Sequence, residues 1–470
     1  MIDNWIKKGL VFAVILLFIC MSITPSTAFY NVKKSSIPFS NGNTLYVGGS
    51  GPGNYSTIQG AINDASNGDT VFVYDDSSPY YEHVILNKKI TLIGEDKNTT
   101  IIDGNGTGDV VKITVNEVIV TGFTIQNSSH EWYYAGILIL SSYNTVSNNI
   151  IHAFNMWQGQ SNGIEILRRN YNNITRNIIY NYPVGIYLED ACLNNIAENT
   201  IFQTILGINS YGNCNNNTMI GNNLSNILSN SIYLEKNLEK KSNDCLILNN
   251  FINNGGKAIY ISDCDNIKII GNKICYISYA TQITGNYINI SNNIIYNCTY
   301  KGIGIGSGSS FTIINNTISN CPIGIGYEQG IFGNISYNKI SGCDNGVRIL
   351  DPGKSNLIFK NEFKNNNKGV YADLKYGALK ITCNNFINNK KSITFQQFLP
   401  FRRQTPKNPI FDKNYYDDWK ESGPKVLVGH TNIFFIPFFF PDFPFFFILP
   451  IFVPGFYCDW HPAKEPYNTT

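Results

Sequence analysis

Gly185-Ile186-Tyr187-Leu188, followed after a polar turn by Asn199-Thr200-Ile201, contains the pattern from which the fold can be inferred. The same pattern, Gly-Ile-x-Ile and then Asn-x-Ile, returns about every 22 residues from Gly136 to Asn389, a period within the range of solenoid repeats. Its second half recurs at eleven asparagines that each precede Ile, Leu or Phe by two positions: Asn149, Asn177, Asn199, Asn222, Asn250, Asn272, Asn293, Asn316, Asn338, Asn361 and Asn385. The repeat predicts one elongated body of equivalent coils.

The apolar runs within each repeat have the length and composition of β-strands. They are short, alternating and β-branched, and they end at Asn, Gly or Ser, which opposes a helical reading. If each repeat forms one coil, equivalent strands stack about 4.8 Å apart as parallel neighbours, so that Ile186 packs against Ile208. The crossover rule for parallel strands favours a right-handed path. We therefore predict an all-β, single-stranded right-handed parallel β-helix.

The sequence also predicts how the two ends of this solenoid are covered. Ser56-Thr57-Ile58-Gln59 is typical of a capping box, and the apolar residues that follow share one helical face, so a short amphipathic helix should cover the first coil. After Pro400 the repeat stops, and Ile433–Tyr457 is rich in Phe and Pro. Because proline opposes a regular transmembrane helix, we expect an irregular, extended C-terminal cap, with membrane or cell-envelope contact through this tail as the alternative.

The start of the chain indicates export to a secreted or cell-surface location. Lys7-Lys8 precedes an apolar run and the small residues Ser26-Thr27-Ala28, which is the pattern of a signal peptide; a retained membrane anchor is the alternative. The predicted segments are a signal peptide 1–28, a flexible lead 29–43, an N-terminal cap with the first coils 44–127, regular coils 128–399 and a C-terminal cap with an aromatic, proline-rich tail 400–470.

The charge of the chain excludes one class of partner. Charged residues make up 14 % of the 470 residues, and the net charge is +2. Such a balance gives no electrostatic basis for binding a nucleic-acid backbone. We therefore predict no nucleic-acid partner.

The repeat, the front of the chain and its tail together resemble a known family. Thr57-Ile58-Gln59 stands before the repeat, and Asn414–Trp419 and Asp459–Tyr467 follow it. These features resemble archaeal exported proteins with the NosD-type, "periplasmic copper-binding" right-handed β-helix, a pectin-lyase-like fold shared with carbohydrate-binding and sugar-hydrolase domains. The resemblance covers about Leu45 to Tyr467. It implies the fold, but it leaves glycan binding, polysaccharide chemistry and copper handling open.

One position of each repeat predicts a ligand-binding surface. In Gly-Ile-x-Ile the two aliphatic side chains should point inward, so the residue between them should face solvent. Aromatic and polar side chains on a flat sheet suit a polysaccharide or surface glycan, although Tyr is also simply a favourable residue on an exposed strand. The predicted ligand-binding residues are Glu165, Tyr187, Asn209, Tyr233 and Tyr260, and the same position continues at Arg348 and Tyr371.

A second position suggests catalysis. Arg168, Glu189 and Asp190 should be neighbours at one sheet edge, and they are the residue types used by a lyase or a hydrolase with paired carboxylates. The alternative is a surface ion pair with a turn-forming Asp. The chain also lacks the Asn-Thr-Asp, Asp-Asp and Gly-His-Gly set of pectin-hydrolysing relatives and the Asp-Pro-His-Asp motif of alginate epimerases.

No cofactor is predicted, although two groups of residues leave calcium or copper open. Asp263 and Asp265 are residues of the type that binds Ca²⁺. Cys298, Cys321 and Cys343 should stack in successive coils, where thiols bind Cu(I), form disulfides or simply pack as small buried side chains. The five histidines show no ligand spacing.

These observations predict an exported cell-surface or secreted β-helix protein that is glycan-binding or structural. The alternatives are a polysaccharide lyase, epimerase or hydrolase, and a NosD-like copper-handling protein. A catalytic protein should have acid, base and Arg groups that converge in a groove formed by the long loops.

Overall fold

In the computed structural model, the chain is described for residues 42–131, 133–154, 161–328, 330–331, 333–350, 355–374, 379–399, 409–419, 423–434 and 450–468. The predicted signal peptide 1–28 and all but the last two residues of the predicted lead 29–43 lie outside these ranges.

The coils stack into two long parallel sheets, as the repeat predicts. One sheet holds sixteen strands, one from each successive coil. They are Thr44–Val47, Thr70–Val73, Thr91–Gly94, Ile119–Thr121, Thr145–Ser147, Asn173–Thr175, Asn195–Ala197, Thr218–Ile220, Leu246–Leu248, Lys268–Ile270, Asn289–Ser291, Thr312–Ile314, Asn334–Ser336, Asn356–Phe359, Leu379–Thr382 and Ile410–Asp412.

The larger sheet holds 27 strands, generally two from each coil, and it wraps around a corner of the solenoid. In four central coils the two strands merge into one long bent strand, for example Asn223–Glu235. The strands are Tyr80–Tyr81, Val84–Leu86, Ile101–Asp103, Val111–Ile113, Thr124–Gln126, Ala135–Ile139, Ile150–His152, Asn162–Leu167, Ile178–Tyr180, Val184–Glu189, Thr200–Tyr211, Asn223–Glu235, Phe251–Ser262, Lys273–Ile283, Ile294–Tyr296, Lys301–Ile305, Thr317–Ser319, Ile323–Glu328, Lys339–Ser341, Asn345–Leu350, Glu362–Lys364, Lys368–Leu374, Asn385–Ile387, Lys391–Leu399, Tyr415–Tyr416, Lys425–Phe434 and Pro450–Asp459. A two-stranded sheet pairs Gly308–Ser309 with Gly330–Ile331.

The stacked strands confirm the predicted register and core. Ile186 pairs with Ile164 in the coil before it and with Ile208 in the coil after it. All three isoleucines are fully buried. Each coil therefore covers the apolar face of its neighbour, which a single strand cannot do alone.

The repeated glycine is required by the close approach of neighbouring coils. A Cβ added at Gly185 would lie 2.7 Å from the carbonyl oxygen of Gly207 and 2.7 Å from the Cγ2 atom of Ile201. A Cβ added at Gly324 would lie 2.5 Å from the carbonyl oxygen of Gly346. A side chain at either of these two glycines would collide with the neighbouring coil, so glycine is required there for steric reasons.

A buried column of asparagines, the amide ladder, runs along one turn of the solenoid. Each Oδ1 accepts hydrogen bonds from the backbone N–H and the Nδ2 of the asparagine one coil earlier, as Asn293 does from Asn272 at 2.8 and 3.0 Å. The ladder follows the predicted asparagines from Asn149 to Asn361. Its next member is Asn384, at 2.9 Å from the Asn361 N–H, so the prediction of Asn385 was wrong.

The register of the strands explains this error. Phe386 pairs with Phe363, so the position two residues earlier, Asn384, is the equivalent of Asn361. The Asn385 side chain instead exchanges hydrogen bonds with the backbone of Tyr467. Two consecutive asparagines made both alignments compatible with the sequence pattern.

The expected N-terminal helix, α1, spans Ile58–Asp64 and covers the first coils. Its N-cap is Thr57, whose Oγ1 accepts from the Gly60 N–H at 3.1 Å, so the assignment of the cap to Ser56 was wrong. The Glu82 carboxylate accepts from the N–H groups of Ile58 and Gln59 at 2.8 and 2.9 Å. A side chain from a following coil thus replaces the predicted reciprocal contact of Gln59.

The C-terminal cap is more regular than expected. The strands Lys425–Phe434 and Pro450–Asp459 pair antiparallel along their whole length. Asp459 is fully buried, and its Oδ2 accepts from the N–H and the Nδ2 of Asn414, both at 3.0 Å. Asn414 is the ladder residue after Asn384, so a carboxylate closes the amide ladder. Among the described residues, no helix is long and apolar enough to span a membrane.

Candidate functional site

The predicted ligand-binding residues form one continuous column on the larger sheet, which we call the outer column. Glu165 pairs with Tyr187, which pairs with Asn209. Tyr233 and Tyr260 continue the register. After Tyr260 the column continues through Gln282, Gly304, Gly326, Arg348, Tyr371 and Thr394.

The outer column is less exposed than the sequence predicted. Glu165 and Asn209 are buried, with 2 % and 6 % of their surface exposed, and the three tyrosines between and beyond them are half-buried. Coils are only about 4.8 Å apart, so the bulky Tyr187 and Tyr233 side chains flank and cover the shorter Asn209. Strand alternation predicted which side of the sheet these residues occupy. It could not predict their burial, which depends on the size of the neighbouring side chains in the same column.

The tyrosine rings of the outer column stand against each other. The Tyr233 and Tyr260 rings are stacked with centroids 4.9 Å apart, and the Lys257 Nζ lies 4.2 Å from the Tyr260 centroid. Protein groups thus occupy ring faces on which a sugar could stack. A glycan at this pair would contact ring edges and hydroxyl groups.

Glu165 lies in an environment that favours its protonated form. The Asn162 Nδ2 donates to Glu165 Oε2 at 2.9 Å. Burial raises the pKa of the Glu165 carboxyl, and the nearby Asp109 and Glu189 carboxylates raise it further. Burial likewise raises the pKa of the Tyr187 hydroxyl, with Glu189 and Glu165 as additional causes.

Asp109 is a member of this acidic group that the sequence did not reveal. Its Oδ1 accepts from the Ala135 N–H at 2.9 Å, and burial raises its carboxyl pKa despite this hydrogen bond. Asp109 also lines a cavity of about 370 Å³ together with His83 and Lys112. His83 Nδ1 donates to the Asp109 carbonyl at 2.7 Å. Asp109 and His83 lie in turns before strands, where the repeat pattern carries no information about them.

The three predicted catalytic residues lie at one edge of the sheet, where Arg168 and Glu189 form an ion pair with each other. Arg168 Nη2 lies 3.5 Å from Glu189 Oε1. Asp190 instead accepts from Lys240 Nζ at 2.6 Å and from the Asn213 N–H at 2.9 Å. Burial opposes ionisation of Asp190, but these two donors outweigh it and lower the pKa of the carboxyl. Arg168 and Asp190 both have positive φ, 54° and 47°, which identifies their position as a left-handed turn.

The predicted calcium residues are paired with lysines. Lys236 Nζ lies 2.7 Å from Asp263 Oδ2, and Lys241 Nζ lies 3.3 Å from Asp263 and 3.2 Å from Asp265. The other Asp265 oxygen accepts from the N–H and Nδ2 of Asn286. Two ammonium groups already neutralise the charge that a calcium ion would require.

The predicted cysteine stack occupies a corner position of the coils. The Cys321 N–H interacts with Cys343 Sγ, and one coil later the Cys343 N–H donates to Asn366 Oδ1 at 2.9 Å. Cys298, Cys321 and Cys343 are buried free thiols. Cys343 Sγ thus accepts a backbone N–H in the way that Asn366 Oδ1 does one coil later. The cysteines therefore belong to a second, shorter ladder of acceptors. This geometry favours packing as the role of the stack.

The fold and the outer column define the class of the protein: it is a right-handed parallel β-helix. Residues 102–262 match the family model described as right-handed β-helix region. Residues 228–419 match the family model described as periplasmic copper-binding protein (NosD). Residues 228–419 are accordingly a NosD-type region of the β-helix. No curated protein matches it.

Several solved structures resemble the chain. The A-module of the Azotobacter vinelandii mannuronan C-5 epimerase AlgE4 is 14 % identical, with a TM-score of 0.46 over 72 % of this chain and 92 % of that module. A mannuronic acid-specific polysaccharide family 6 lyase from human gut microbiota is 12 % identical, with a TM-score of 0.49 over 68 % of this chain and 86 % of the lyase. The catalytic unit of the GH87 α-1,3-glucanase of Streptomyces thermodiastaticus is 16 % identical, with a TM-score of 0.40 over 77 % and 66 %. These likenesses say nothing about the chemistry of this chain.

The described residues do not fit the copper site that the NosD description implies. Among them, no group of three or more His, Cys, Asp or Glu side chains is placed to hold a metal ion. Burial raises the pKa of the Cys343 thiol to about 12, and the hydrogen bond between Cys298 and Cys321 raises the pKa of Cys298 while it lowers that of Cys321, so two of the three sulfurs favour the thiol over the thiolate that Cu(I) requires. We therefore derive no copper chemistry from this structure.

Proposed function

We propose that this protein acts outside the cytoplasm and binds a polysaccharide along the face that carries the outer column. The observation that supports the proposal most directly is the constant register of Glu165, Tyr187, Asn209, Tyr233 and Tyr260 in five successive coils. A polymer with repeating hydroxyl groups suits a surface that itself repeats at coil spacing. The periplasmic description of the NosD match and the predicted signal peptide support the location.

Substitution of Tyr233 and Tyr260 tests the proposed surface. Because their ring faces are occupied, we expect hydroxyl groups to contribute to binding, so the double Tyr→Phe variant should bind more weakly, and the double Tyr→Ala variant most weakly. Retention on a polysaccharide panel by affinity electrophoresis measures the effect. A matched control replaces Tyr276 and Tyr287, which are 59 % and 65 % exposed outside the column. Equal retention of column and control variants would remove the proposal.

The buried Glu165 carboxyl supports a second candidate, acid–base action on a polysaccharide. The pKa of Glu165, beside Tyr187, and the pKa of a second carboxyl, Asp109, are both raised by burial, so each holds its proton to a higher pH than an exposed carboxyl does. Incubation of the protein with uronic-acid polymers tests this function through release of reducing or unsaturated ends. Activity should be lost in Glu165→Gln. Absence of products from the unmodified protein would exclude this candidate for those substrates.

A further inference from the structure

A cleft opens between the last two parallel strands of the larger sheet. The strands Lys391–Leu399 and Lys425–Phe434 pair only from Gln396 and His430 onward. Their first halves diverge, and the space between them has a volume of about 460 Å³. This volume lies within the range of about 300–1,000 Å³ that is usual for small-molecule sites.

Lysines dominate the charged lining of this cleft, which we call the lysine cleft. Its lining includes Lys368, Lys390, Lys391, Lys425 and one carboxylate, Asp418. Asp418 pairs with Lys425 at 2.7 Å. Among the described residues, the other three lysines form no ion pair with a carboxylate. These three lysines line the same space, where an anionic ligand would reduce the repulsion between their charges.

The lysine cleft is continuous with the outer column. Tyr371 lines the cleft and pairs in register with Arg348 in the preceding coil. The Tyr371 hydroxyl donates to Gln396 Oε1 at 2.9 Å, and Lys368 Nζ lies 5.2 Å from the ring centroid. The next column residue, Thr394, carries an Oγ1 that is buried without a hydrogen-bond partner among the described residues. Polar and aromatic groups thus accompany the positive charges, as recognition of a sugar requires.

We propose that the lysine cleft binds the carboxylate groups of an acidic polysaccharide that lies along the outer column. Ammonium–carboxylate hydrogen bonds give the anionic preference, and Tyr371 with Thr394 contacts the sugar. The anionic preference follows from the cleft alone, whereas the saccharide class rests on the proposed function.

Calorimetric titration of the full chain with oligogalacturonate and with a neutral glucan of equal length tests this inference. The double variant Lys390→Gln/Lys391→Gln should lose roughly tenfold or more in affinity for oligogalacturonate. A matched control, Lys268→Gln/Lys339→Gln, removes the same charge from exposed lysines in other coils and should lose less than about twofold. Affinity of the unmodified protein should fall with added salt.

The outcomes separate this inference from the proposed function. Equal losses in the cleft and control variants, or stronger binding of the neutral glucan, would overturn the lysine cleft as the anionic site and leave glycan binding by the outer column intact. Polyglutamate binding as tightly as oligogalacturonate would overturn the saccharide class. Displacement of oligogalacturonate by a single-stranded oligonucleotide at equal concentration would also overturn the saccharide class, and it would identify the lysine cleft as a general polyanion site.

Discussion

The amide ladder and the outer column both place one residue per coil in constant register, but only the ladder repeats the same residue. Each ladder amide from Asn177 to Asn384 lies between two others, accepts from the one before it and donates to the one after it, which the asparagine side chain can do. The outer-column residues are positioned by their strands and make few contacts with each other that require a given side chain. Asn209, a buried member, even has an Oδ1 with no hydrogen-bond partner among the described residues. A residue type that repeats in every coil therefore indicates a structural role. A position that keeps its register but varies in residue type is free to bind a ligand.

Removal of one ladder amide tests this comparison most strongly, because we expect it to have the largest effect on stability. Asn272 Oδ1 accepts from the N–H and Nδ2 of Asn250, and Asn272 Nδ2 donates to the Ile247 carbonyl at 3.0 Å. Asn272→Ala leaves these buried groups unsatisfied in two neighbouring coils. We expect a loss of about 3–5 kcal/mol in the free energy of unfolding, measured by urea denaturation followed by circular dichroism.

A matched control uses an asparagine two coils further along the solenoid that lies outside the ladder. Asn315 is exposed and has a φ of 56°, and its side-chain Nδ2 donates to Asn292 Oδ1 at 2.6 Å. Asn315→Gly keeps this backbone conformation accessible, so it should cost no more than about 1 kcal/mol. If Asn272→Ala were no more destabilising than this control, the ladder would not be what holds the coils together.

The end of the amide ladder offers a sharper test, because the same position can be changed in two ways. Asp459→Ala removes the acceptor of the Asn414 N–H and Nδ2 and of the Tyr416 hydroxyl, which lies 3.3 Å from Asp459 Oδ2. Asp459→Asn keeps an acceptor oxygen at the same place. We expect the alanine variant to lose about 2–4 kcal/mol of local stability at the C-terminal cap and the asparagine variant much less.

Hydrogen exchange at the backbone amide of Asn414 measures this local stability. Protection should fall in Asp459→Ala and be largely kept in Asp459→Asn. Equal protection in both variants would show that hydrogen bonding by Asp459 does not close the ladder.

The comparison also explains which features could be predicted from the sequence. Ladder asparagines and inward isoleucines recur because each coil imposes the same packing on the next, so their period revealed the fold and the register of the outer column. The misassignment of Asn385 shows that the repeat pattern alone does not distinguish two adjacent asparagines, because Asn384 fits the pattern equally well. The burial of Glu165 and Asn209 was not predicted, since it depends on the size of neighbours about 22 residues away.

Features outside the repeat could not be predicted in the same way. The lysine cleft exists because two strands diverge before Gln396, and no local signal in the sequence announces that divergence. The antiparallel pairing of Pro450–Asp459 depends on a partner in a separate segment of the tail. Asp109 meets the acidic group only through loops between coils. Each of these depends on contacts that occur once in the chain.

A buried outer-column residue should show the pH dependence that the ladder amides lack. Burial raises the pKa of Glu165 above its ordinary value of 4.5, so the folded state binds the proton more tightly than the unfolded state. This contribution to stability is present below the unfolded pKa and is lost as pH rises through the folded pKa. Glu165→Gln cannot lose it, so the variant should gain stability relative to the unmodified protein as the pH rises from about 4 towards neutrality.

Thermal unfolding of both proteins across this pH range measures the difference. The effect should be smaller than that of either ladder variant, since only one ionisation is changed. A constant difference at all pH values would mean that the environment of Glu165 does not favour its protonated form.

The smallest effect is expected at the exposed turn that carries Asp263. Its carboxylate is 44 % exposed, and the hydrogen bond from Lys236 lowers its pKa despite some burial. Asp263→Asn should change the thermal midpoint only slightly, because solvent screens such pairs. Millimolar calcium chloride should leave the midpoint of both proteins unchanged, since Lys236 and Lys241 hold the carboxylates. A rise in the thermal midpoint with calcium that Asp263→Asn abolishes would instead support a calcium site. This turn would then bind a ligand, as the variable positions of the outer column are proposed to do.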